Sequence, residues 1–431
     1  MTRKKVIAAI LFLIIISVAF LLQLPSPPIT PKKKVVVHEL KARESLKAVP
    51  VNNPFLKELL IAYEAEIEAL IASSKTPGAA IAIVQDTSII YLKGFGIKAI
   101  GTQDSVDTET VFRLASVSKC FAPVLTGMLV EDNVLKWDDK VITHLPDFAL
   151  KSREQTEQLT LRHVLSHTVG LPYHTYTNLI EDGEDLHTML TKLRDVEIIG
   201  KVGKVYSYQN VAYSIIAEVI QSATGKSYEQ LMMERIFNPL HMTHASISYD
   251  AIMQNTNVAK PHQHTRKSMA LTTISNTYYN VAPAGGINAS VSDMAQWIKA
   301  MLGNREDVIA HVTLDEIFTP VVKAPAKNRN FRKWSRPTGS FYAMGWRMLN
   351  FKTDTLYYHG GYVNGYRSEL AVDRKNKIGI CVLTNATGAL ADNSIPYFFN
   401  LYMKHGEAIR EWDLQNRTVT TQSKVIATAR K

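Results

Sequence analysis

Strand-forming runs stand at both ends of this chain with helical patterns filling the stretch between them, so distant segments must share one sheet. Near the front, AAIAIVQ and SIIYLKGFG are short β-branched and aromatic runs joined by a tight polar link, the pattern of a hairpin. Ahead of them, residues 55–72 (FLKELLIAYEAEIEALIA) space their apolar side chains as a helix does, and Pro77-Gly78 stops the pattern. From about residue 116 to 302 the chain reads as helices: the run after Lys119, LRHVLSHTVG, VAYSIIAEVIQSATG and SVSDMAQWIKAML. Strand signals return in YAMGWRML, TLYYHG, RSELAVD and KIGICVLTN, and SIPYFFNLYMKHG closes as a helix. The expected architecture is α+β, one sheet joined from both ends and carrying a large helical insertion; no internal repeat is visible.

A net charge of +10 would suit a nucleic-acid binder if it were spread over the fold, but it is concentrated at the ends. Nine Lys/Arg against two Glu lie in residues 1–50 and four Lys/Arg against no acid in residues 414–431. Residues 51–413 are nearly neutral, so no nucleic-acid partner is expected and the ends read as solvated basic flanks. The front also carries a membrane-directed segment. Arg3, Lys4 and Lys5 precede residues 6–22, VIAAILFLIIISVAFLL, where Ser17 is the only polar residue, and LPSPPITP follows as a spacer. No clear small-x-small cleavage site follows. An uncleaved anchor with its N-terminus inside is expected, with a cleaved signal peptide as the alternative. The divisions are residues 1–24 as anchor or signal peptide, 25–54 as a basic, proline-rich linker, 55–413 as the folded domain and 414–431 as a basic tail.

Two cysteines, Cys120 and Cys381, give no disulfide framework and are expected as buried thiols. The 13 histidines invite a metal reading. It fails on pattern: His163 and His167 are four apart without HExxH, and His262-Gln-His264 lacks the further Asp and His of a metallo-hydrolase. No metal or cofactor is expected. A GxSxG elbow is absent as well, which removes that form of serine chemistry.

Ser116-Val-Ser-Lys119 is the only Ser-x-x-Lys in the chain. At a helix start, residues three apart share a face, so the Lys119 amine stands beside the Ser116 hydroxyl, which needs such a neighbour to become a nucleophile at neutral pH. By itself the tetrapeptide is also compatible with a solvated helix. Tyr-x-Asn occurs four times, at Tyr176, Tyr208, Tyr278 and Tyr362, and only Tyr208-Gln-Asn210 lies between a glycine-led approach and a helical run. There a phenol relays protons and an amide holds both a lysine and a substrate carbonyl. His359-Gly360-Gly361 follows a strand-like run; paired glycines in a strand imply that another backbone or a ligand comes close, though an isolated triplet also fits a turn. In the first case the N–H groups of Tyr362 and Ser116 would form an oxyanion hole.

These three motifs in this order, with VFRLASVSK, LKWDDKVITHLPDF, LTLRHVLSHTVGLP, GKVYSYQNVAYSIIAEVI, PAGGINASVSDMAQW and HGGYVNGYRSELAVDRKNKIGICVLTNA, resemble the serine β-lactamase and penicillin-binding protein superfamily, most of all class C β-lactamases and their peptidase and esterase relatives. The likeness runs over about residues 76–386. It implies a mixed antiparallel sheet flanked by N- and C-terminal helices with a helical subdomain, and a β-lactamase-like catalytic domain at 55–413. It implies Ser116 as acylated nucleophile, Lys119 as its activator, Tyr208 as general base and acid, and Asn210 as the residue that orients substrate and Lys119. His359 stands where many relatives have lysine and would supply a donor or a cation to a substrate carboxylate and to Tyr208, with peptide-like substrates lying along Gly360 and Gly361. The implied partner is a small-molecule or peptidoglycan-peptide substrate at a bacterial cell envelope, the chain anchored in the inner membrane facing the periplasm or secreted. The alternative function is a catalytically silent wall- or peptide-binding protein on the same fold. Two departures stand out: HGG replaces lysine-threonine-glycine, removing a permanent charge and a hydroxyl that hold a β-lactam carboxylate, and Pro123 falls seven residues after the nucleophile, where a kinked or loosened helix is expected. Oligomeric state is left open.

Overall fold

In a computed structural model the chain is described over residues 45–266, 268–325, 334 and 337–429, with side chains up to residue 416. The expected membrane segment at residues 6–22 and most of the linker lie outside the described residues. Among the described residues no helix is long and apolar enough to cross a membrane.

Asn53 starts the first helix: its Oδ1 accepts from the amides of Phe55 and Leu56, and Pro54 in the first turn has no N–H to leave unpaired. This helix, α1, runs Pro54–Ser74 and buries Leu56, Leu59, Leu60, Tyr63 and Ile67. The hairpin follows as β1 (Gly78–Gln85) and β2 (Ser88–Gly96). A short β3 (Val111–Arg113) leads into a 3₁₀ turn at Ala115–Cys120 and then α2 (Ala122–Glu131). The helical region continues through α3 (Ile215–Thr224). After a two-strand pair, β4 (His262–His264) with β5 (Met269–Leu271), β6 (Asn288–Ser290) pairs with β3 and leads into α4 (Val291–Met301). The remaining strands are β7 (Val322–Lys323), β8 (Gly339–Tyr342), β9 (Arg347–Asn350), β10 (Thr355–Val363), β11 (Tyr366–Asp373) and β12 (Ile378–Thr384). The last helix, α5 (Ala389–Ala429), extends beyond the SIPYFFNLYMKHG run and through most of the basic tail.

The main sheet has eight strands in the order β2-β1-β12-β11-β10-β9-β8-β7, with every adjacent pair antiparallel. The front hairpin joins the rest through β1 against β12, Ala79 opposite Thr384 and Gln85 opposite Ile378. Both faces are covered, which explains why β1 and β12 read as unbroken apolar runs. On one face Ala80, Ala82, Val84, Cys381 and Leu383 pack against the helical region; on the other Ala79, Ile81, Ile83, Ile380 and Val382 pack with α1 and α5. Each fully buried Val, Leu or Ile contributes about 1.5–3 kcal/mol of transfer free energy, so these layers hold the sheet firmly. Cys120 and Cys381 are both buried thiols.

Two packing features fix the 3₁₀ turn and the far end of β10. The indole of Trp297 on α4 stacks on Phe121, centroids 3.7 Å apart, and ties the end of the 3₁₀ turn to α4. Beyond β10 the two-residue turn Asn364-Gly365 has positive φ at both residues, 41° and 88°, the twist a tight hairpin demands. Val363 and Tyr366 are therefore the closing pair, and the strand's alternation turns the Tyr362 amide away from β11. On that side β9 pairs with β10 only from Thr355 to Tyr358, so β10 presents an open edge beyond it.

Candidate active site

Ser116 and Lys119 lie in the 3₁₀ turn rather than in a regular α-helix, and three residues per turn bring positions three apart into line. The turn is entered through Ala115 at φ 47°, a left-handed conformation that costs a non-glycine residue roughly 1–2 kcal/mol and is held here by its surroundings. The Leu114 amide donates to Ile287 O at 2.8 Å, the Ile287 amide donates to Ser118 Oγ at 3.1 Å, and the Ser368 hydroxyl donates to Leu114 O.

Pro123 does not kink a continuous helix. The 3₁₀ turn ends at Cys120, and the proline sits in the first turn of α2, where a missing N–H does no harm. The partner it withholds is that of the carbonyl four residues back, Lys119 O, and the Tyr213 hydroxyl donates to that oxygen at 2.7 Å. Gly345 closes over this point: a Cβ there would stand 2.4 Å from Lys119 O and 3.0 Å from the Pro123 ring.

The Lys119 amine is wholly buried. Its Nζ lies 2.7 Å from Asn210 Oδ1, 2.9 Å from Ala284 O and 3.4 Å from Ser116 Oγ, and 4.7 Å above the Tyr208 ring. Burial pushes its pKa well below the ordinary lysine value and the nearby Arg347 cation adds to this, with Cys120 acting the other way. A neutral amine has two N–H groups and one lone pair. Once the amine gives up its extra proton, the two oxygens that can only accept take the two N–H groups, which leaves the lone pair facing the Ser116 hydroxyl.

Tyr208 is 5% exposed, and burial raises its phenol pKa while the Ser116 hydroxyl beside it acts to lower it. Its carbonyl accepts from the His174 amide at 3.0 Å. Asn210 is fixed from behind, its carbonyl taking both the amide and the hydroxyl of Ser214, at 3.2 and 3.0 Å, just before α3 begins. The copies at Tyr176 and Tyr278 do ordinary local duty: Tyr176 OH donates to Lys192 O at 2.9 Å, and Asn280 Nδ2 donates to Ile180 O and Glu184 O at 3.1 and 2.8 Å.

Gly361 faces the nucleophile turn so closely that a Cβ on it would stand 2.3 Å from Leu114 O, 2.4 Å from Ser368 Oγ and 3.0 Å from Ser116 N. Gly360 faces the opposite layer, where a Cβ would meet Tyr358 OH at 2.6 Å and Glu369 Oε2 at 2.8 Å. The glycines are there because backbone and side chains occupy both spaces. The amides of Ser116 and Tyr362 thus belong to adjacent segments, the turn and the open edge of β10.

His359 departs from its expected part as a donor or cation toward substrate and Tyr208. The ring is buried, Nδ1 lies 3.0 Å from Gly360 O and Nε2 lies 3.2 Å from Tyr342 OH. A carbonyl oxygen only accepts, so Nδ1 carries the hydrogen and Nε2 accepts from the phenol. Burial, then Arg347 and Lys119, push the imidazole pKa well below its ordinary value, so the ring is neutral and both nitrogens are spent inside the protein.

Sequence reasoning missed four contributors. Arg347 stands with its guanidinium 5.9, 5.7 and 5.8 Å from the ring centroids of Tyr206, Tyr208 and Tyr342, and a lone cation in the strand run YAMGWRML was the available signal. Tyr213 sits five residues beyond Tyr208, inside a block already singled out. Ala284 acts through its carbonyl, which no side chain announces. His167 packs on Tyr208, ring centroids 4.3 Å apart. Among the described residues no group of three or more His, Cys, Asp or Glu could hold a metal ion, and His163 is occupied in capping the helix that begins after Thr160.

A family model described as Beta-lactamase matches residues 64–397. Among curated proteins the chain is similar to Protein flp of Staphylococcus aureus (strain MRSA252), 24% identical over 345 residues, covering 79% of this chain and 65% of that protein. It is also similar to Unguisins hydrolase ungD of Aspergillus violaceofuscus (strain CBS 115571), 26% identical over 356 residues, 75% of this chain and 61% of that protein. The chain thus spans slightly less than two thirds of the length of these relatives. A solved structure, the octameric penicillin-binding protein homologue from Pyrococcus abyssi, superposes with a TM-score of 0.69 at 24% identity, over 80% of this chain and 77% of that one, and shares its fold.

Proposed function

The chain belongs to the beta-lactamase family, within the serine β-lactamase and penicillin-binding protein superfamily, and from that membership we propose that it is a serine hydrolase working through an acyl-enzyme on amide or ester bonds. The observation that carries this reading is the Lys119 amine, buried, its pKa driven down by that burial, and held by two carbonyl oxygens beside the Ser116 hydroxyl. In the proposed reaction Lys119 takes the Ser116 proton as Oγ attacks the substrate carbonyl carbon. The carbonyl oxygen, now carrying the negative charge, is held by the Ser116 and Tyr362 amides. The protonated Tyr208 phenol gives its proton to the leaving amine or alkoxide as the bond breaks, and Asn210 orients both Lys119 and the substrate. Water then attacks the ester at Ser116 by the same route in reverse.

A neutral His359 supports a ranking of the substrate classes. Without a cation from β10, carboxylate capture of the β-lactam kind is weak, so small esters and peptide amides rank ahead of β-lactams as substrates. Action outside the cytoplasm rests on the sequence of residues 1–24 alone.

Labelling of the full-length protein in detergent with a fluorophosphonate and a fluorescent penicillin tests this reading. Fluorophosphonate labelling that disappears in Ser116→Ala is expected, with penicillin labelling slower. Absence of labelling by both reagents in folded protein would sink it and favour a silent binding protein.

A further inference from the structure

His167 lies in the segment LSHTVG and belongs to none of the three motifs, yet it is completely buried beside Tyr208. Its backbone is left-handed, φ 59°, which any residue with a side chain adopts only when the surroundings require it. Two hydrogen bonds account for that conformation. The His167 carbonyl accepts from the Ser207 amide at 2.9 Å, and ring Nδ1 accepts from the Gln209 amide at 3.2 Å, so one residue grips the chain immediately before and immediately after Tyr208. Its ring then packs on the Tyr208 ring at 4.3 Å, while Lys119 Nζ sits 4.7 Å from the same ring.

The hydrogen-bond inventory requires the ring to be a neutral histidine. Because Nδ1 accepts, the hydrogen is on Nε2, and Nε2 is buried with no hydrogen-bond partner among the described residues, enclosed by the rings of Tyr206, Tyr208, Tyr213 and Tyr342. A phenylalanine or leucine would fill such an aromatic enclosure without an orphaned donor. What only histidine supplies among bulky residues is the Nδ1 acceptor for Gln209.

We propose that His167 is a positioning residue for Tyr208, setting the phenol over Ser116 by holding the amides on either side of it. The proposal rests on the hydrolase reading above for its catalytic consequence, though not for the clamp itself.

Two variants separate the parts. His167→Asn keeps an acceptor on Cγ, where Nδ1 is attached, and asparagine tolerates the left-handed backbone. His167→Gly removes acceptor and ring and relieves the backbone; should it unfold, His167→Phe fills the volume without the acceptor and serves instead. In full-length protein, the rate of Ser116 labelling by a fluorophosphonate and the kcat for p-nitrophenyl butyrate should fall by about 10²-fold in the Gly variant, with KM within threefold. The Asn variant should stay within about tenfold of the parent, a recovery that bulk packing alone would not give. Amide exchange at Gln209, followed by mass spectrometry, should quicken in the Gly variant and stay protected in the Asn variant. Parental rates in the Gly variant, Asn as inactive as Gly, or unchanged Gln209 exchange would each overturn the proposal. An unlabelled parent whose Gln209 exchange still follows the Gly and Asn pattern would uphold the clamp and put the failure on the hydrolase reading.

Discussion

The Tyr213 hydroxyl donates to the backbone carbonyl of Lys119 at 2.7 Å, filling the place that Pro123 leaves empty. The amine of Lys119 is thus aimed from its own main chain as well as by Asn210 and Ala284. Tyr213→Phe strands a buried carbonyl and should lower stability by about 1–3 kcal/mol. It should also slow acylation of Ser116 while leaving KM for a small ester in place. Urea denaturation and a labelling time course read the two effects, and unchanged values of both would show that the bond positions nothing.

The adjacent glycines of β10 give a paired prediction. Gly361→Ala drives a methyl group to 2.3 Å from Leu114 O and 3.0 Å from Ser116 N, so the nucleophile turn itself must shift. A displacement of about 1 Å at reacting atoms costs on the order of 10²-fold in rate. Gly360→Ala meets Tyr358 and Glu369 in the opposite layer, so it should cost stability, about 1–3 kcal/mol, with far less loss of rate. Comparing kcat and urea midpoints of the two variants checks this. Equal loss of rate would mean that the sheet transmits either strain to Ser116.

Lys119 makes acylation depend on pH in a stated direction. Its pKa in the fold is well below 10.5, so the labelling rate should climb with pH through a midpoint below that value. Lys119→Arg, permanently protonated, should lose at least about 10²-fold at every pH. Stability follows the same ion. The unfolded chain binds a proton at pH values where the folded one does not, so stability should rise with pH between the folded value and 10.5 and be flat below the folded value. Lys119→Met should remove that slope. A labelling rate independent of pH would exclude Lys119 as the proton acceptor.

What the sequence disclosed and what it hid divide along physical lines. The front hairpin, α1 and the buried β12 are legible because burial on one or both faces imposes a periodicity that side chains record. Ser116 and Lys119 are legible because their spacing is short and local. Ala284 O is invisible because backbone acceptors leave no residue signature, and the grip of His167 on Tyr208 joins positions 41 apart through main-chain atoms. The charge of His359 was not legible, since it depends on burial and on Arg347, which only the fold brings near. The helix break at Pro123 was expected as a disturbance; its use, freeing a carbonyl for Tyr213, requires a partner 90 residues away.

The same neutral histidines predict how the fold responds to acid. His359 and His167 are both buried with pKa values well below 6.5, burial being the largest cause for each and the cations Lys119 and Arg347 adding to it. Below 6.5 the unfolded chain takes up protons that the folded chain refuses, so stability fully present above that pH is lost as pH falls toward the folded values, about 1.4 kcal/mol for each unit of displacement. His244, its pKa raised by the hydrogen bond to Glu109, opposes this trend, and so do the buried carboxyls Glu369 and Asp293, raised by burial, from their ordinary values up to their folded ones. The urea midpoint should therefore fall between about pH 7 and pH 5. His359→Gln keeps a donor for Gly360 O and an acceptor for Tyr342 OH without a group that titrates, so it should flatten part of that fall. A variant as acid-sensitive as the parent would mean that His359 titrates in the fold as it does in the unfolded chain, and would remove the ground for calling it neutral.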